Sequence, residues 1–171
     1  IDYVEEVLTP FEEYNLISDF YGSKKAKRSG VFYMNHIDEG LYILNRIEAT
    51  MTAKKAYCIH PLIQGDEDLL QNRYLLSEVD VQTVITATEY RSVANEYLSK
   101  RKIQSADDIR LSPLKDVNDM LIADKIQNRK DFELYHKNHE RAKELKEYFD
   151  NWFYKLGITE EFYQECVKVC S

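Results

Sequence analysis

Breaker residues are too scarce in this chain to punctuate a sheet. Five glycines and three prolines serve 171 residues, whereas an all-β domain needs turn residues roughly every 8 to 12 positions. Leucine, lysine, glutamate, alanine and tyrosine fill the space instead, a mixture that favours helices. No segment alternates apolar with polar residues over the length of a strand, and no Asn-Gly hairpin signal occurs. The expected fold class is all-α, in one domain covering residues 1–171, long enough to bury a core.

Apolar spacing divides the chain into helices. Residues 3–21 set Val4, Leu8, Phe11, Leu16 and Phe20 at near-helical intervals, with Pro10 as a bend and Gly22-Ser23 as the stop. A basic turn runs to Gly30. Asn35 is placed to cap a helix from His36 to Ala49, with Asp38 and Glu39 in its first turn. Thr52 begins the next helix, which carries Ala56, Tyr57, Ile59 and His60 before Pro61 and Gly65 break it. Helical signals follow over Asp66–Leu76 and Val81–Lys100, the second with Val84, Ile85, Val93 and Leu98 expected inward. Past a polar stretch over 102–112, Ser112-Pro113 opens a helix through Met120, Leu121, Ile122 and Ile126 to about Phe132. A long amphipathic helix spans about Asn138 to Leu156, Gly157 stops it, and Thr159-Glu160-Glu161 begins a short last one.

The net charge of −7 argues against a partner in duplex nucleic acid, which calls for a net basic face. No apolar run approaches the roughly 20 residues of a bilayer span, so no membrane partner is expected. Cys58, Cys166 and Cys170 are odd in number and lack metal-knuckle spacing. They point to a reducing, cytoplasmic location, with Cys58 acting as a small core residue. The acidic C-terminal helices leave room for a homodimer.

Against this acidic background, Lys24 to Arg28 form a cationic island. It precedes Gly30, Tyr33 and His36, as a site for a phosphorylated small molecule requires; its plain alternative is a solvated loop. His36 opens one helix and His60 closes the next. A short antiparallel connection brings both to the same end of the pair, where neutral imidazoles suit Mn, Fe or Zn. Each could equally be a hydrogen-bonded helix-end residue. Asp124 lies in a largely apolar helix, and a carboxylate there needs a metal, a cap or a cation such as Lys27 or Arg28. Asn128, one turn later, shares its face.

These pieces resemble a known family. KRSGVFYMNH, GLYIL, AYCIH, LIADKIQNRKDF and EYFDNWFYKLGI follow one another in the order found in the hydrolase half of SpoT/RelA proteins and their small stand-alone relatives. Those are HD-fold enzymes that remove the 3′-pyrophosphate from ppGpp and pppGpp, usually with manganese. The resemblance implies an HD-domain-like helical bundle and places His36, His60 and Asp124 on metal-ligand positions. Lys27 and Arg28 fall in the loop that cradles phosphates or base, and Asn128 falls on a nucleotide contact. Two departures stand out. The histidine-aspartate pair is His60-Pro61 here, and the acidic pair that activates water falls on Gln64 and Gly65. Proline cannot ligate a metal, and glutamine cannot accept a proton. A break at Pro61 offers Asp66 as the replacement carboxylate.

The expected function is metal-dependent hydrolysis of a nucleotide or related phosphoester, with Asp66 and Gln64 as the catalytic positions and Mn2+, or else Fe2+ or Zn2+, as the ion. The alternative is a degenerate HD-fold module that binds or sequesters a nucleotide or a protein partner.

Overall fold

A computed structural model describes residues 12–99 and 105–170. It is all-α: eight α-helices joined by short 3-10 turns, with a single isolated bridge, Lys25 to Phe32, as the only β pairing among the described residues. The helices are α1 (Glu12–Tyr21), α2 (Met34–Arg46), α3 (Met51–Ile59), α4 (Asp66–Asn72), α5 (Val81–Ser99), α6 (Lys115–Tyr135), α7 (Ala142–Leu156) and α8 (Glu160–Cys170). Helix α6 is the hub, packed against α2, α3, α5, α7 and α8, while α1 lies across α3 and α2. Ile37, Leu41 and Leu44 of α2, Ala53, Ala56 and Tyr57 of α3, and Val117, Met120 and Leu121 of α6 make the buried centre. Cys58 is free and buried among them. Residues 3–11 of the expected helix over 3–21, and residues 100–104, lie outside the described residues.

Local chemistry explains the element ends, and in places moves them. Asn35 does not cap α2. The helix starts two residues before His36, at Met34, with Tyr33 at the cap and no side-chain bond there. Helix α3 begins at Met51 rather than Thr52, and Thr50 caps it: its hydroxyl accepts from Ala53 N at 3.1 Å. Ser112 bonds the amide of Leu114, so α6 begins at Lys115. The stretch 66–76 divides into α4 and a 3-10 turn, Arg73–Leu76. Among the described side chains of α5 the buried ones are Thr83, Thr86, Ala87, Tyr90, Val93 and Ala94; Ile85 points outward at 49 % exposure, and the Leu98 side chain lies outside the described residues. The α2–α3 link is tight because Glu48 takes a left-handed conformation (φ 56°), letting Ala49 N reach back to Leu44 O at 2.9 Å. That turn folds α3 back along α2.

Helices α2 and α3 approach closely at one point. A Cβ on Gly40 would stand 2.1 Å from the Tyr57 ring. Only glycine leaves room for that ring, which lies stacked with His36 at 5.5 Å between centroids and tilted to His60 at 4.8 Å.

Candidate metal centre

His36 from α2, His60 just past α3 and Asp124 from α6 each offer one ligand atom, all within 4.8 Å of one another. His60 and Asp124 are buried, and the His36 side chain keeps 22 % of its surface in solvent, so the cluster opens along the His36 edge. Among the described histidines, cysteines and carboxylates, no other group joins them.

The hydrogen bonds around the two rings fix where their protons sit. Gln127 donates its amide NH2 to the carboxylates of Asp131 (2.9 Å) and Glu39 (3.3 Å). A carboxylate only accepts, so the amide oxygen must face the other way, and it does: Oε1 lies 2.6 Å from His36 Nδ1. His36 therefore carries its proton on Nδ1. His60 Nδ1 meets the carbonyl oxygen of Tyr57, another pure acceptor, so it too is protonated there. Both neutral rings are left with a lone pair on Nε2, and those two atoms face each other at 3.4 Å. Asp124 Oδ1 stands 3.3 Å from His36 Nε2. Three electron-pair donors converging without a proton repel one another. They call for a cation or a proton between them.

Two of the three separations, His36 to His60 and His36 to Asp124, have the spacing of metal ligands. Bonds of about 2.0–2.1 Å in tetrahedral array set ligand atoms about 3.3–3.4 Å apart. Donation of each Nδ1 proton to an acceptor is the usual outer-shell arrangement of metal-bound histidine. Two imidazoles and one carboxylate suit Zn, Fe or Mn and leave positions open for water or substrate.

The remaining contacts anchor Asp124. Its Oδ2 accepts from Lys125 Nζ and from Asn128 Nδ2, both at 3.1 Å; the Tyr90 hydroxyl also bonds the carboxylate, and Oδ1 faces His36. Lys125 is buried, bonds the Tyr148 hydroxyl at 3.0 Å and lies over the Trp152 ring at 4.8 Å. The cation expected for Asp124 is thus its sequence neighbour, not Lys27 or Arg28. Burial opposes ionisation of Asp124, but the Lys125 charge and the two histidines outweigh it and hold its pKa well below the usual carboxylate range. For His36, burial lowers the pKa, while Asp124, then Gln127 and Asp131, raise it on balance. His60 falls to about 4 through burial and the neighbouring His36. A proton that enters the cluster therefore goes to His36.

Tyr57 completes the inner surface. Its hydroxyl donates to His36 O at 3.1 Å and lies 3.2 Å from His36 Nε2. Behind Gln127, Lys130 bonds both Glu39 oxygens at 2.7 Å, a buried pair that fixes the acceptor on which Gln127 depends.

The other expected site residues lie elsewhere. Pro61 lies at the start of a 3-10 turn, His60–Ile63, whose Leu62 and Ile63 are buried. Asp66 does not swing into the cluster: its side chain is 90 % exposed and pairs with Arg91 of α5. Gln64 is exposed, and its backbone oxygen accepts from Asn95. Lys27 and Arg28 do not fold over His36; the cavity they border is completed by His136, His139 and Arg141, beyond the C-terminal end of α6. Sequence reasoning missed Gln127, Tyr57, Lys125 and Gly40. Gln127, three residues after Asp124, was the most accessible of these, since that spacing shares a helix face. The chain matches no protein-family model, no curated protein and no solved structure.

Proposed function

We propose that this protein is a metal-dependent phosphohydrolase acting on a nucleotide or other phosphoester, with His36, His60 and Asp124 holding the divalent ion. The observation that carries the reading is the pair of Nε2 lone pairs and the carboxylate oxygen gathered within 4.8 Å, two of the three separations at 3.3 and 3.4 Å, with both Nδ1 protons committed to acceptors. A divalent ion held there supplies electrophilic activation of a phosphoryl group and of water. The chain's own residues hold and orient. Lys125 and Asn128 keep Asp124 turned so that one oxygen faces inward, and Gln127 holds the His36 ring. Tyr57 offers a hydroxyl beside His36, and the exposed His36 edge is where a phosphoester would enter.

One observation favours a second reading, a module that binds a nucleotide without turning it over. Asp124 is already neutralised by Lys125, and Asp66 stands in solvent. Metal analysis of the purified protein, with phosphate release from 3′- and 5′-phosphorylated nucleotides, separates the two. The hydrolase reading expects release that depends on Mn2+, Fe2+ or Zn2+ and disappears in His60→Ala. A protein that binds a nucleotide but releases no phosphate with any of these ions is the binding module.

A further inference from the structure

The chain has four histidines, and they form two pairs. His36 and His60 meet in the cluster; His136 and His139 border a cavity of about 490 Å³, with Lys27 and Arg28 on its other wall. His136 lies 12 positions beyond Asp124, about 18 Å along a helix rising 1.5 Å per residue. A second cavity, of about 440 Å³, shares Arg28, His136 and His139 with the first. We infer that this groove is a separate binding site for a nucleotide-sized, phosphate-bearing anion.

The charges come first. Lys27, Arg28 and Arg141 line the larger cavity, and no acid lines it among the described residues. The chain as a whole is acidic, so this concave surface concentrates a field opposite in sign to its net charge. Lys27 and Arg28 are exposed, with no hydrogen bond or ion pair to any described residue. Arg141, by contrast, is bound to Glu144 at 3.0 Å. Two guanidinium or ammonium groups without an acid, side by side on one wall, are available to an incoming anion.

They are also held in place. Ala26 N bonds Val31 O, and Gly30 N bonds Ala26 O, both at 2.8 Å; Gly30 supplies the left-handed residue (φ 71°) that closes the turn. The Lys25 ammonium sits over the Phe32 ring at 4.5 Å and braces its base. An anion meeting this hairpin need not order a floppy loop, which saves binding free energy. The opposite wall adds a directed donor. Arg141 N donates to His139 Nδ1 at 3.1 Å, so the neutral His139 ring carries its proton on Nε2, free for a phosphate oxygen. Tyr33, 42 % exposed on the groove wall, offers a face on which a base can stack.

The site does not depend on the metal reading, and its test is arranged to keep the two apart. Inorganic triphosphate and ATP are titrated calorimetrically into the full chain in EDTA, which removes any ion from the cluster. Both should bind, ATP the more tightly. In Lys27→Ala/Arg28→Ala, whose positions are exposed and outside the core, affinity should fall roughly tenfold or more, while Zn2+ uptake at the cluster is unchanged. Absence of triphosphate and ATP binding in EDTA, or equal affinity in the double variant, overturns the proposal and leaves the cluster reading standing.

Discussion

Replacing Gly40 with alanine tests whether the α2–α3 contact sets the geometry of the cluster. The added Cβ would lie 2.1 Å from Tyr57 Cε1 and 2.2 Å from its Cζ and hydroxyl oxygen. Carbon atoms rest about 3.5–4.0 Å apart, so the ring or the helix must give by about 1.5 Å. The ring has no free direction, being fully buried between His36 and His60. Overpacking of this kind costs about 1–3 kcal/mol. Loss of the Tyr57 hydroxyl bond to His36 O adds about 1 kcal/mol. Against this, alanine gains about 0.5–1 kcal/mol over glycine inside a helix. The net expectation is a loss of about 1–3 kcal/mol in urea unfolding. A shift of α3 also drags the Tyr57 carbonyl that holds His60, so metal affinity should fall about 10- to 100-fold, as for loss of an outer-shell partner. Combining Gly40→Ala with Tyr57→Leu should recover stability, because the clash goes with the ring. A Gly40→Ala protein as stable as its parent, with the same Zn2+ affinity, would refute the reasoning.

Gln127→Leu removes the acceptor for His36 Nδ1 and leaves Glu39 and Asp131 without their amide donor; Zn2+ affinity should drop about 10- to 100-fold, and an unchanged value from competition titration would show that Gln127 orients nothing. Metal binding should weaken as pH falls, because the proton competes for His36, whose pKa is raised, whereas His60 at about 4 stays unprotonated until far lower pH. The sign follows from a proton displaced by the ion, so affinity that is flat between about pH 8 and pH 6 would exclude His36 as a ligand. Glu48→Gly relieves a side chain in the left-handed region and should raise stability by about 1 kcal/mol; thermal unfolding at an unchanged midpoint would count against it.

What the sequence disclosed depended on whether the relevant contacts were local. Helix identity was readable from spacing, and the meeting of His36 with His60 followed from two helices joined by a short link. Asp124 was visible as a carboxylate beside the apolar run Met120 to Ala123. Gln127 was not, because its role arises only when α2 crosses α6 and two carboxylates dictate which way its amide points. The heading of Asp66 was hidden for a similar reason: it is set by a 3-10 turn after Pro61 and by Arg91, a partner 25 residues away. Lys27 and Arg28 are legible in the sequence as cations on a glycine-closed turn. Their direction was set by the far end of α6, which nothing near them in sequence announces. Gly40 carried a faint signal, a glycine inside a strong helix, whose meaning needed the Tyr57 ring to be seen.

Helix α6 places Asp124, Lys125, Gln127 and Lys130 among its buried residues. In the unfolded chain these groups are hydrated, and in a partly collapsed chain they would be stripped of water without yet meeting Glu39, His36 or Tyr148. The segment therefore gains little by collapsing early. It docks favourably only when α2 and α7 arrive together with the right partners. Folding of the apolar α2–α3 pair can precede this step, and the central helix should lock in late, as the cooperative event that closes the domain. Once closed, its amides exchange with solvent only when the whole domain opens, so the slowest-exchanging protons should mark the helix that was last to settle.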